Sequence, residues 1–535
     1  MSSNGHEAAE VERRTLSGLP LGESYPLEPR PGVEVPGEYP FTRGRPRRGA
    51  GAGWTHRELS GEGGPTASNA QFRYLIEHGA HGVDVIGDMP TQAHMDADHP
   101  MARMSLGTNG VSVSTLDDFV ELYRDIALDA ISLSHSLPPA FTVAGLYLAA
   151  ERHGYDPAVL RGSVLQVPFY TEDCAYATHL PPAIRMRLSC DAIAFCAEHM
   201  PKFHGFIEDT YYISDNGMDA VTEMALGFIE IRALVRMLQS RGVPIDSYAP
   251  RIGILVNCRM DLFEEIAKVR ATRRIYARMM REEFGATDPR SWAAPVTVHT
   301  SGLTLTAQQP VNNVVRGALQ AFAMVLAGVD ALEISTFDEG FRTPGPESHL
   351  VALRTQQIIA LESGAGSVRD PLGGSFLVEA LTDEMEARIL AMVDEIESHG
   401  DPVDLLSDGY FRSYFESATV EHARAVADGE RRLVGLTDFV VADEDDVLLR
   451  EISEEKIPPA LDQIEVVRRF KAERDLNATR AALDDVRAAG TDPDADLMAP
   501  IIAAFHARAT LGEIAGVLRE SQGQPFDPYR QVSAP

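Results

Sequence analysis

From residue 54 to about residue 400 the chain repeats one pattern. A short, mostly apolar run gives way to a longer stretch whose apolar residues recur at intervals of three and four. The short runs are GVDVIGD (82–88), AISLSHS (130–136), SVLQVPF (163–169), GFIED (205–209), RIGILVN (251–257), PVTVHTS (295–301) and ALEISTF (331–337). The long stretches include FTVAGLYLAAERHG, AVTEMALGFIEIRALVRMLQSRG and VNNVVRGALQAFAMVLAG, each closing on Gly. The first kind predicts buried strands and the second amphipathic helices stopped by glycine. Strands and helices in alternation imply parallel strands with right-handed crossovers. Seven strands are clear and an eighth is expected near 366–379. Together they predict an α/β fold, a (β/α)8 TIM barrel over 54–400. An open doubly wound sheet fits less well, and GAGAG does not sit between a strand and a helix as a dinucleotide fingerprint would.

Within the strands a second pattern appears. Ser132, Ser134 and Ser136 alternate along one run, and Thr297, His299 and Ser301 along another. Alternation puts each set on one face of its strand. If those faces point inward, small hydroxyl groups line the barrel and leave a hole along its axis, wide enough for a slender polar ligand. If they point outward, polar groups lie under the helices, where an apolar surface is needed. The inward placement is the better of the two. Barrel active sites lie at the C-terminal ends of strands. Those ends are Gly87–Asp88, His135, Gln166, Tyr211–Tyr212, Asn257, Thr300–Ser301 and Ser335 to Glu339.

Composition changes the picture at the two ends. Residues 1–53 are rich in Pro, Gly and charge and predict an extended arm. Residues 401–535 are helical and acidic, with a clear amphipathic pair in ADLMAPIIAAFHARATLGEIAGVLRES. The formal net charge is −31, which argues against nucleic-acid partners and anionic membranes. A local arginine cluster could still hold an anionic ligand. No apolar run is long enough to span a bilayer, and no signal peptide is visible. The four cysteines have no zinc spacing, which favours reduced thiols and a cytoplasmic location.

Several longer stretches carry a resemblance. HTSGLTLTAQQPVNNVVRGALQAF, STFDEG, ALRTQQIIALESG, DPLGGSFLVEALTDE, DADHP and HMPKF resemble the large, catalytic chain of adenosylcobalamin-dependent acyl-CoA mutases. That family includes methylmalonyl-CoA, isobutyryl-CoA and 2-hydroxyisobutyryl-CoA mutases. The resemblance runs from about Tyr39 to Gln522. It implies a barrel lined by small hydroxyl residues, with the pantetheine arm of coenzyme A along its axis and adenosylcobalamin over its mouth. The family's cobalamin-binding fold carries a D-x-H-x-x-G loop, which is missing here. No cobalamin-binding domain is therefore expected in this chain. A separate small cobalamin-binding subunit is implied, carrying the cobalt ligand, with a higher heteromer as a further expectation.

The resemblance also assigns residues. Glu339 matches the carboxylate that holds the adenosine ribose, Ser335 stands where relatives usually carry Asn, and Gly61 matches the glycine beside the adenosine. His299 joins this cofactor-binding set. Thr55, Arg57, Ser132, Ser134, Ser163 and Arg251 match coenzyme A contacts. The acyl pocket departs from the family pattern, with Leu59, Gly87, Leu165, Ala175 and Leu255 at its positions. Tyr212 replaces the histidine that hydrogen-bonds the thioester, while Tyr211 is retained. Without an arginine for a free carboxylate, methylmalonyl-CoA is an unfavourable substrate. Ile86 replaces the aspartate of the hydroxyisobutyryl enzymes, against a hydroxyacyl group bound in the same way. The expected reaction is a rearrangement of a neutral, branched or bulky acyl-CoA by thioester migration. The alternative is a degenerate relative that binds acyl-CoA without turnover, which the lost histidine favours.

Overall fold

The computed structural model describes residues 13–28, 30–46, 53–174, 176–442, 444–453 and 457–535. Its sheet contains nine parallel strands. They are β1 (Thr55–His56), β2 (Leu59–Ser60), β3 (Gly82–Ile86), β4 (Ser132–Ser136), β5 (Arg161–Gln166), β6 (Phe203–Asp209), β7 (Ile252–Cys258), β8 (Val296–Thr300) and β9 (Ala331–Glu333). The order is β1-β9-β8-β7-β6-β5-β4-β3-β2. β1 and β2 are two halves of one stave, broken only at Arg57 and Glu58. The first half pairs with β9 and the second with β3. Even at the break the ladder continues, with Arg57 N donating to Leu332 O and Asp84 N to Glu58 O. The sheet therefore closes on itself as an eight-staved (β/α)8 barrel.

All seven strands read from the sequence are present. The eighth stave is not at 366–379. That segment is a short 3-10 turn (Ala365–Ser367), a loop, and the start of the helix Phe376–Ser398. Pro371, Gly373 and Gly374 explain the loop, since neither residue type suits a strand interior. The stave at 55–60 escapes hydrophobic periodicity because Arg57 and Glu58 interrupt it.

The outward faces of the strands carry Val83, Val85, Leu133, Val164, Phe206, Ile254, Val256, Val296, Val298 and Leu332, all fully buried under helices. Burial of these side chains drives the layer of helices onto the barrel. The alternate residues, including Ser132, Ser134, Thr297 and His299, therefore face the axis. This decides between the two placements open to the sequence. His135 follows the outward set: its ring meets Tyr123 OH at 2.6 Å and Ser163 O at 2.9 Å, away from the mouth.

Past residue 400, the helices Leu476–Thr491, Met498–His506 and Leu511–Ser521 share one apolar core with Phe119, Phe141 and Leu146 of the barrel's helical shell. Among the described residues no helix is long and apolar enough to cross a membrane.

A buried ion pair network fixes two helices to the end of β7. Lys268 is fully buried, and its Nζ lies 2.8 Å from Glu223, 2.7 Å from Glu265 and 2.7 Å from Asn257 O. Its two carboxylates outweigh burial and hold the ammonium charged. Lys268→Met would leave both carboxylates buried without a cation. It is expected to lower the unfolding free energy by about 3–5 kcal/mol in a urea titration. A loss below about 1 kcal/mol would show that the pair is not buried as described.

Candidate functional site

The barrel axis carries polar groups at three depths. At the N-terminal ends of the strands is a cavity of about 780 Å³. Thr55, Arg57, Ser132, Ser163 and Arg251 line it, and so do Arg45, Arg161 and Lys202. Five cations thus converge in a chain whose net charge is −31. One wall is acidic, where Arg45 pairs with Asp330 at 2.9 Å. Arg57 reaches inward from the break in the first stave, and its Nη2 donates to Ser132 Oγ at 2.8 Å. Arg251 precedes β7 and donates from Nε to Pro201 O. His204 joins the same wall, its Nδ1 donating to Arg251 O at 3.0 Å. Burial and the neighbouring Arg251 and Arg45 push its pKa down to about 3, so it stays neutral. Such a cavity suits a ligand with several phosphate groups at one end.

The middle of the axis follows from strand register. The register drifts by about eight residues over one circuit, the shear of a (β/α)8 barrel. Alternate staves then contribute four inward side chains to each layer. The lowest complete layer holds Arg57, Ser134, Ile207 and Thr297. Above it lie Asp84, Leu165, Leu255 and Glu333, and then Leu59, Ser136, Asp209 and His299. Ser134, expected beside coenzyme A, lies just beyond the cavity wall and bonds Ser163 Oγ at 2.9 Å. The hydroxyl lining read from the sequence holds in the lower half. Higher up, Leu165 and Leu255, with Ile207 one layer beneath them, pack with Tyr211 and Tyr212 into an apolar collar on one side. Gly87 does not widen this region, because Leu137 and Thr91 occupy the space where its side chain would be. Ala175 lies outside the described residues.

At the C-terminal mouth a second cavity, of about 300 Å³, is lined by Leu59, Gly61, Ile86, Thr336 and Glu339. Glu58, Asn109, Arg342 and His349 complete it, and sequence reading did not find them. Gly61 has φ +145°, and a Cβ there would lie 2.6 Å from Ile86 O. Only glycine lets the stave end pass this close. Glu339 Oε2 accepts from Thr336 N at 3.1 Å. Loss of solvent, with Asp215 second, raises its pKa to about 7. Ser335 Oγ meets His299 Nε2 at 3.0 Å, and His299 stacks on Tyr211 at 4.7 Å between centroids. Tyr212 stands edge-on to both Tyr211 and Tyr176. Burial, then Asp209, pushes its phenol far above the ordinary range, so it remains a neutral hydrogen-bond donor.

The mouth residues fit an adenosine group. A carboxylate can accept from both ribose hydroxyls, and the bare backbone at Gly61 allows close approach. Among the described residues Glu58 Oε2 and His349 Nδ1 have no hydrogen-bond partner. Both are buried polar atoms at this cavity that a ligand could satisfy.

Comparison with known proteins agrees with this geometry. Residues 21–524 match the model of the methylmalonyl-CoA mutase family. The chain is 36% identical over 511 residues to the 2-hydroxyisobutanoyl-CoA mutase large subunit of Aquincola tertiaricarbonis, covering 95% of this chain and 90% of that one. It is 32% identical over 518 residues to the methylmalonyl-CoA mutase of Cereibacter sphaeroides, covering 95% and 72%. The Escherichia coli methylmalonyl-CoA mutase is 31% identical over 523 residues, with 96% and 72% covered.

Proposed function

The chain belongs to the methylmalonyl-CoA mutase family and is an acyl-CoA isomerase; on that footing we propose that it is the catalytic subunit of an adenosylcobalamin-dependent mutase acting on a neutral, branched or bulky acyl-CoA. The observation that carries this reading is the arrangement along one axis: a cationic cavity, inward hydroxyls at Ser134, Ser163 and Thr297, an apolar collar and a carboxylate-bearing mouth. Arg57 and Arg251 would bind the phosphates of coenzyme A, with Thr55, Ser132, Ser134 and Ser163 along the path of the pantetheine arm. Leu165, Leu255 and Leu59 would enclose the acyl group. Tyr212 would donate a hydrogen bond to the thioester carbonyl, oriented by its contacts with Tyr211 and Tyr176. Glu339, with Ser335, Gly61 and His299, would hold the adenosyl group. That cofactor, when bound, supplies the radical that removes and returns one substrate hydrogen. The chain's own contribution is to position the substrate and to keep water and other hydrogen donors out of the bore.

The cobalt ligand is assigned to a separate small cobalamin-binding subunit, in line with the relative named as a large subunit, and the enzyme is placed in the cytoplasm. A substrate carboxylate would meet Leu165 and Leu255 and the carboxyl groups of Asp84, Glu333 and Asp209, with Arg57 one layer below and already beside two of those carboxyls. Methylmalonyl-CoA is therefore disfavoured. A second reading, binding without turnover, is supported by Tyr212, whose high pKa makes it a weak acid.

The test is to mix the chain with a small cobalamin-binding subunit and adenosylcobalamin, then follow products from C4 to C6 acyl-CoAs. Branched neutral substrates should rearrange, with kcat/KM for methylmalonyl-CoA lower by about 10²-fold or more. Methylmalonyl-CoA as the better substrate would overturn the assigned acyl class. Silence across the panel would favour the binding-only reading.

A further inference from the structure

Two carboxyl groups inside the barrel have no part in the reaction as described. Asp84 on β3 and Glu333 on β9 are 1% and 3% exposed, in the middle of the bore. They share a layer with Leu165 and Leu255, so half of that ring is acidic and half apolar. The carboxyls lie within hydrogen-bonding reach of each other. Two like charges this close cannot both remain ionised, and a single shared proton resolves the conflict. Ser134 and Ser136 lie beside Asp84 on the neighbouring strand β4, and Arg57 lies near both carboxyls. His299 Nδ1 is 3.9 Å from Glu333. Yet among the described residues Asp84 Oδ1 and Glu333 Oε2 accept from no amide, hydroxyl or cationic group. Buried acceptors left in this state cost about 1–3 kcal/mol each, which a ligand donor would recover. The pair lies between the cationic cavity and the mouth cavity, level with the leucines assigned to the acyl group.

We infer that Asp84 and Glu333 determine substrate specificity by accepting a hydrogen bond from a hydroxyl group on the acyl chain. This deepens the proposed function and rests on it, since it needs the acyl group to lie against Leu165 and Leu255. The acyl chain is then two-faced, apolar toward the leucines and hydroxylated toward the carboxyls. A neutral donor fits better than an ammonium group. Burying an ammonium at this depth would cost its hydration as well, which a hydroxyl avoids. The hydroxyl is held one strand-repeat deeper than Ile86, so the apolar residue at 86 does not oppose it.

Isothermal titration of the full-length chain with isovaleryl-CoA and with its 2-hydroxy and 3-hydroxy forms tests the inference. At least one hydroxylated form should bind about 10²-fold more tightly than isovaleryl-CoA. In Asp84→Leu/Glu333→Leu the preference should shrink to about threefold or less, with a cooperative thermal unfolding transition and continued binding of free coenzyme A as the check on folding. Asp84→Asn/Glu333→Gln, closer in shape, should reduce it to about tenfold or less. Equal affinity of the wild-type chain for all three acyl-CoAs would overturn the inference and leave the acyl-CoA reading standing. So would a preference that survives in either folded variant. Failure of every acyl-CoA and of free coenzyme A to bind would overturn the underlying reading, and the inference with it.

Discussion

Ser163→Phe is expected to weaken binding of coenzyme A and its thioesters by at least about 10³-fold. Ser163 is 2% exposed, lines the lower cavity and bonds Ser134 on the neighbouring strand β4. Ser132 and Thr297 line the same cavity, and the proposed course of the pantetheine arm leads past these three residues. A phenyl ring placed there occupies that path. Overpacking of this kind also costs about 1–3 kcal/mol of stability, less than most domains possess, so the variant should fold. Ser163→Ala removes the hydroxyl but leaves the path open, and should keep affinity within about fivefold. Calorimetric titration of both variants checks the pair. Tight binding by Ser163→Phe would mean that coenzyme A does not pass through the barrel.

The second large effect is at the mouth. Glu339→Ala is expected to weaken binding of 5′-deoxyadenosine to the chain by about 10²-fold, since a charge-assisted acceptor for two hydroxyls is lost. The carboxyl has a further signature in pH. With its pKa raised to about 7, Glu339 is protonated in slightly acid solution and ionised above neutrality. Affinity for the nucleoside should therefore rise as pH increases from 6 to 8, and Glu339→Gln should flatten that rise. The sign for stability is the opposite. The empty folded chain holds a proton at Glu339 that the unfolded chain releases near the ordinary carboxyl value. Between about 4.5 and 7 unfolding releases that proton, so this group lowers stability as pH rises across the window. Glu339→Gln should therefore raise the melting temperature of the empty chain at pH 8 relative to wild type. An unchanged pH profile for binding in the Gln variant would remove Glu339 from the nucleoside site.

Most of the barrel was legible because two periods coexist in the sequence. The outward positions, Val83, Val85, Val296 and Val298 among them, are apolar since helices cover them. The inward serines and threonines alternate with these, and the clash between polar interior and apolar exterior pointed to a hollow axis. The first stave was missed because a barrel strand can carry Arg57 and Glu58 at its centre when one faces a phosphate-sized cavity and the other a second pocket. Helical period cannot find such a strand, and neither can alternation over two residues on each side of a break.

The site was legible in the same uneven way. Every residue expected beside coenzyme A except Ser134 lines the lower cavity, and Glu339 and Gly61 do meet at the mouth. Arg161 and Lys202 at strand starts, and Arg45 in the N-terminal arm, gave no signal, because charged residues in such places look like ordinary surface. Asp84 and Glu333 did give one: a charged residue at the centre of an apolar strand is costly unless it serves a ligand or a partner. In GVDVIGD and ALEISTF that signal was present. Their meeting across the first stave could not be seen without the register that brings β3 and β9 to either side of it.

The most direct test of the central claim is a structure of the chain with an acyl-CoA bound. The phosphates should lie among Arg57, Arg161, Lys202 and Arg251, the pantetheine arm beside Ser134 and Ser163, and the acyl group against Leu165 and Leu255. Coenzyme A found on the outer face of the barrel, with the axis still filled by protein, would contradict the account.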